Sequence, residues 1–182
     1  MLPMIPPRPL PEQVQRLCNA LTPPPRLVAH LRLVHDTAVD LVAGLGDCFP
    51  TLDYDADSVL FGAATHDLGK VLHPNELTAT GNQHEQDGPF LLEQHGVPTS
   101  LSRFARTHGN WNREEDQPVE DLLVALADAI WKGRCPELEG RVVKRIAAMI
   151  SAEQWQVFLK FDDLAARLSA DGQKRLAWQQ GF

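Results

Sequence analysis

Cysteine is scarce in this chain. Cys18, Cys48 and Cys135 are scattered, form no CxxC and cannot all pair. A reducing, cytoplasmic setting is therefore expected. No apolar run approaches the ~20 residues that a bilayer span requires. The stretch from Met1 to Pro11 holds too much proline for a signal-peptide core. Positive charge is also short, since 17 Lys and Arg against 24 Asp and Glu leave a net charge of -7. That balance argues against duplex DNA as a partner, and a membrane partner is not expected either. A small phosphorylated substrate stays possible, because a metal site is a local positive charge. Strand signals are missing too, with no sustained two-residue alternation rich in β-branched residues. The expected fold class is all-α, a helical bundle with no significant sheet.

What is present suits one domain: 182 residues, 43% hydrophobic and 23% charged, enough for a core without staples. A proline-rich arm with a short helix is expected over residues 1–24. A helical core should follow over 25–133, with C-terminal helices packing on it over 134–182. Within the core, a helix over about 26–44 carries Leu31, Val34, Ala38, Leu41, Val42 and Leu45 at spacings of three and four. His35 sits on the edge of that stripe and is expected to face the core. His30, further from it, is expected in solvent, as are His73 and His95.

The next helix is the unusual one. Asp57 or Ser58 can cap it, and it should run to about Lys70 with Gly69 near its end. Val59-Leu60-Phe61-Gly62-Ala63-Ala64 leads straight into His66-Asp67. Apolar residues on all sides describe a buried helix, and a charged pair at its end is expensive unless something neutralises it. A metal ion would. Other histidines follow at comparable places. His84 lies in the first turn of a helix over 82–95 whose Phe90, Leu91 and Leu92 should contact the core. His108 shares a stripe with Leu101, Phe104 and Ala105. Asp128 sits inside the apolar run 122–131, ahead of amphipathic helices near 137–150 and 152–168 and a short one to about 180.

His35, His66, Asp67, His84, His108 and Asp128 thus form a set of polar residues on helices that otherwise feed a core. Taken singly, each has an ordinary role, as a packed or capping histidine or, for Asp128, as an i,i+4 partner of Lys132. Their coincidence points instead to ligands converging from several helices. Imidazole with carboxylate suits Mn, Fe, Co, Ni or Zn. Six ligands exceed the need of one tetrahedral ion and suggest two ions bridged by Asp67.

This ordered set resembles the HD-domain superfamily of metal-dependent phosphohydrolases. His35, the doublet His66-Asp67 within His-Asp-Leu-Gly-Lys, and Asp128 match its pattern, and His84 and His108 match the two histidines of its dinuclear subgroup. The resemblance covers roughly residues 26–133. It implies an HD-type helical bundle, two divalent transition-metal ions and hydrolysis of a phosphoester by metal-activated water. Asp67 and Lys70 would be catalytic, with Lys70 on a substrate phosphate oxygen. Arg103, Arg106, Lys132 and Arg134 could add positive charge for substrate binding, and Trp111 and Trp131 a stacking face. The implied substrates are a nucleotide, a cyclic nucleotide or an RNA end bearing a 2′,3′-cyclic or 2′-phosphate. Two alternatives remain open: a di-iron oxygenase with the same ligand order, and a non-catalytic regulatory module, against which the filled ligand positions count.

Overall fold

The computed structural model describes residues 6–112 and 116–182, and these contain helices and no strand. Helix α1 spans Glu12–Leu21, α2 Pro25–Cys48 and α3 Ala56–Thr65. Two 3-10 turns, Leu68–Val71 and Pro74–Leu77, lead into α4, Gln83–Gln94. Two short helices follow, α5 Thr99–Ser102 and α6 Phe104–Thr107, then α7 Val119–Ile130. The chain closes with α8 Pro136–Met149, α9 Gln154–Ser169 and α10 Gly172–Gln179.

Helix α7 is the axis of the larger core, burying Leu122 to Ala127 and Ile130 against α2, α8 and α9. A second core joins α1, the first half of α2, α3 and α4 through Leu17, Leu31, Phe61, Ala64, Leu68 and Leu92. Helix α3 belongs to both, which is why it is apolar all round. Gly62 makes that possible: a Cβ there would stand 2.7 Å from the Phe104 ring and 2.8 Å from Val124. Overpacking of that kind destabilises by roughly 1–3 kcal/mol. The missing side chain lets α3, α6 and α7 close together.

Several local expectations change. Helix α3 is capped by Asp55, whose side chain accepts from the Ser58 N–H at 3.0 Å, not by Asp57 or Ser58. It ends at Thr65 rather than near Lys70, and Gly69 falls inside the 3-10 turn. Gly69 serves close packing instead of helix termination, since a Cβ would run into the His84 carbonyl oxygen. Phe90 is 64% exposed, while Leu91 and Leu92 are buried. The face of α4 carrying Gly88 lies against Gly69 and Ala105, which turns Phe90 outward. The proline-rich segment is tied down from Pro7 onward: the Pro7 carbonyl accepts from Arg32, Arg8 pairs with Asp36 at 2.6 Å and with Asp40 at 2.8 Å, and Leu10 is buried. The expected arm residues 1–5 lie outside the described residues.

Candidate metal centre

His66 and Asp67 occupy the bend between α3 and the first 3-10 turn. His66 is fully buried and the Asp67 side chain is 3% exposed. Around them stand His84 from α4, His108 just after α6, Asp128 from α7 and, from α2, His30. Asp67 Oδ1 is 3.1 Å from His84 Nε2 and 3.5 Å from His108 Nε2. Its other oxygen is 3.2 Å from His30 Nε2 and 3.7 Å from His66 Nε2. Asp128 Oδ1 lies 3.3 Å from His30 Nε2 and 3.6 Å from His66 Nε2. One carboxylate therefore faces two separate sets of imidazoles.

His35 is the correction. It is buried but lies outside this cluster, with Nδ1 unpartnered, and burial holds its imidazole below the ordinary value. The position expected in solvent, His30, faces both Asp67 and Asp128. The reason is helical geometry. At about 100° per residue, His30 lies roughly 60° to one side of the line Leu27–Val34–Ala38–Leu45 and His35 roughly 80° to the other. Both flank the buried stripe, and the HD doublet and Asp128 approach from the His30 side. Leu27, itself buried, was the signal that could have extended the stripe back to His30.

Hydrogen bonds behind the ring set its chemistry. His66 Nδ1 donates to the Ala63 carbonyl at 3.0 Å and His108 Nδ1 to the Phe104 carbonyl at 3.1 Å. His84 Nδ1 donates to Glu76 Oε2 at 2.5 Å. With Nδ1 so engaged, each ring turns Nε2 inward. Glu76, in the second 3-10 turn, was not anticipated from the sequence. Burial opposes its ionisation, but His84 and the Gln83 and His84 N–H groups bring its carboxyl down to about 2.

The ligand atoms of these side chains converge. Among the described residues, three overlapping triads, His30–His66–Asp128, His66–Asp67–His108 and His84–Glu85–His108, each hold ligand atoms within 4.8 Å of one another. Asp67 Oδ1 and Asp128 Oδ1 are buried and accept no hydrogen bond. His30 Nε2 and His66 Nε2 approach to 3.2 Å, close enough to share a proton or to ligate one ion. Burial pushes the His30 imidazole down, but Asp128 and Asp67 outweigh it and raise it to about 9. Burial would raise both carboxyls, yet the facing imidazoles hold Asp67 and Asp128 well below the carboxylate range. These donors fit divalent metal ions of the imidazole–carboxylate class.

The expected substrate cations disperse. Lys70 Nζ is 2.5 Å from Asp67 Oδ2, so its charge is committed to the centre. Lys132 stands 3.9 Å from Asp128 at the rim. Arg103 is drawn off to Asp121 at 3.2 Å and stacks on Phe104. Arg106 lines a different pocket of about 450 Å³ beside Glu85, Asn110 and Gln117. Arg134 is bound by Glu139 and Asp162. Trp131 is buried with its ring centroid 5.7 Å from that of His30, and Trp111 packs on the larger core. A small pocket of about 100 Å³ reaches the centre itself, lined by Arg26, Leu27, His30, Asp67, Lys70, Leu77 and Gln179.

Comparison with known proteins bears on this geometry. The sequence matches the HD domain family over residues 27–133, more than half of the chain. No curated protein matches it, and no solved structure does.

Proposed function

Because the chain belongs to the HD-domain superfamily of metal-dependent phosphohydrolases, we propose that it hydrolyses a phosphoester at the histidine–aspartate centre with two divalent transition-metal ions. The substrate class is a nucleotide, a cyclic nucleotide or an RNA end bearing a 2′,3′-cyclic or 2′-phosphate. The carrying observation is Asp67, whose two oxygens face different imidazole sets while Oδ1 accepts no hydrogen bond. That arrangement supports a bridging carboxylate. His30, His66 and Asp128 would serve one ion, and His84 and His108 the other, with Glu85 beside them.

Bound divalent ions supply Lewis-acid polarisation of the phosphoryl oxygens and a water acidic enough to attack at neutral pH. The chain's own residues do the positioning. The Nδ1 bonds to Ala63, Phe104 and Glu76 hold three rings in one tautomer and orientation. Lys70 holds Asp67 from the pocket side, a positioning role in place of a direct grip on substrate. The small mouth favours a terminal or compact phosphate over the backbone of a duplex, and the net charge of -7 points the same way.

A metal-by-substrate screen tests this. Purified protein is expected to hold about two ions per chain and to turn over at least one phosphoester with Mn, Fe, Co, Ni or Zn. Asp67→Ala should lose most of the metal and all the activity. A wild type that is metal-free and inert across the screen sinks the reading. One ion per chain with His84→Ala fully active reduces the site to a single-metal form.

A further inference from the structure

The pocket that reaches the centre has walls from outside the family match. Arg26 precedes residues 27–133, and Gln179 lies far beyond them on α10. The C-terminal helix is moored at both ends. Gly172 packs on the turn after α7, where a Cβ would strike the Lys132 carbonyl. Trp178 lies under Arg32 of α2, 5.4 Å from the guanidinium carbon to the ring centroid. Helix α10 therefore runs from the end of the helix bearing Asp128 to the helix bearing His30, and delivers Gln179 to the mouth.

The charges at that mouth are unequal. Lys70 is held by Asp67 and Lys132 leans on Asp128. Arg26 is exposed and has neither a hydrogen bond nor an ion pair among the described residues. It also sits in the first turn of the 24-residue α2, where the helix dipole favours an anion. Gln179 is half-buried, and its amide is likewise without a partner among the described residues. An uncommitted guanidinium and an uncommitted amide thus line the outer part of a pocket whose floor is Asp67 and His30.

We propose that Arg26 and Gln179 bind a second phosphate of the substrate, next to the phosphate held at the centre, and so select bis-phosphorylated compounds. A guanidinium suits this because it grips phosphate bidentately. The second phosphate belongs to a nucleoside bisphosphate or is the next phosphodiester of a strand end. This rests on the phosphohydrolase reading.

The test is equilibrium binding by titration calorimetry on the Mn²⁺-loaded full chain, with turnover followed in the same samples. The ligands are adenosine 5′-monophosphate, adenosine 3′,5′-bisphosphate and the 3′-phosphorylated dinucleotide ApAp. Wild type is expected to bind one of the latter two roughly ten-fold or more tightly than the monophosphate. A preference for the bisphosphate assigns the nucleotide source, and one for ApAp the strand end. Arg26→Ala should erase the preference with bound Mn²⁺ unchanged, Arg26→Lys should keep part of it, and Gln179→Ala should reduce it. Equal binding of all three ligands by wild type, or a preference that survives Arg26→Ala, overturns the proposal. A preference present without hydrolysis of any of the three, nor of the phosphoesters in the screen, overturns the phosphohydrolase reading alone.

Discussion

Glu139 and Asp67 are both carboxylates buried between helices, with side chains 6% and 3% exposed. Their surroundings differ in kind. Glu139 receives Arg134 Nε on both oxygens at 2.9 Å and the Cys135 N–H at 2.7 Å, so its charge is answered by hydrogens. Asp67 has Lys70 on one oxygen, and the other accepts no hydrogen bond and faces the Nε2 atoms of His84 and His108. A charge that the fold has neutralised is a structural tie. A charge left facing further Lewis bases is a place kept for a cation. Burial alone does not separate the two; the count of hydrogens does.

This contrast can be broken most severely at His30. His30→Ala should weaken metal binding roughly hundred-fold or more, since removing a ligand exceeds the 10–100-fold typical of an outer partner. His35→Leu should leave metal content at the wild-type level. Metal analysis of the two variants decides between the flanks of α2, and an opposite result returns His35 to the site. A smaller effect is expected behind the ring. Glu76→Gln keeps the size but removes the charge that orients His84, and metal affinity should fall roughly ten-fold or more, read by competition with a chelator. The smallest effect belongs to the structural tie. Glu139→Ala should lower stability by roughly 1–2 kcal/mol, discounted because Arg134 is partly exposed. Thermal unfolding measures this, and metal content should not change. Loss of metal in that variant would erase the distinction.

The sequence was most readable where one physical constraint acted alone. The lack of two-residue alternation called for an all-α chain, and the described residues contain no strand. The doublet His66-Asp67 stood out because a helix buried on all faces cannot end on an uncompensated charge. His84, His108 and Asp128 followed from the same logic, and the structure brings all three to the doublet. Harder to read were residues whose meaning depends on a neighbour distant in the chain. Glu76 looks like any loop glutamate until His84 folds against it. Glu85 adjoins an expected ligand, yet only the approach of His108 gives it a place among the triads. Arg103 and Arg134 had the right charge, but nearer carboxylates claimed them.

By itself the sequence determined that this protein is helical and that the apolar runs 59–64 and 122–131 feed its core, and it singled out His66, Asp67, His84, His108 and Asp128 as candidate ligands. Periodicity does this because it reports which residues of a helix are withdrawn from water. It cannot report which side of a buried stripe meets a partner, because His30 and His35 flank the stripe almost symmetrically. Only the packing of α2 against the bend after α3 and against α7 chose His30. Only the docking of α10 brought Gln179 to the mouth of the centre, a contact between residues that no local pattern connects.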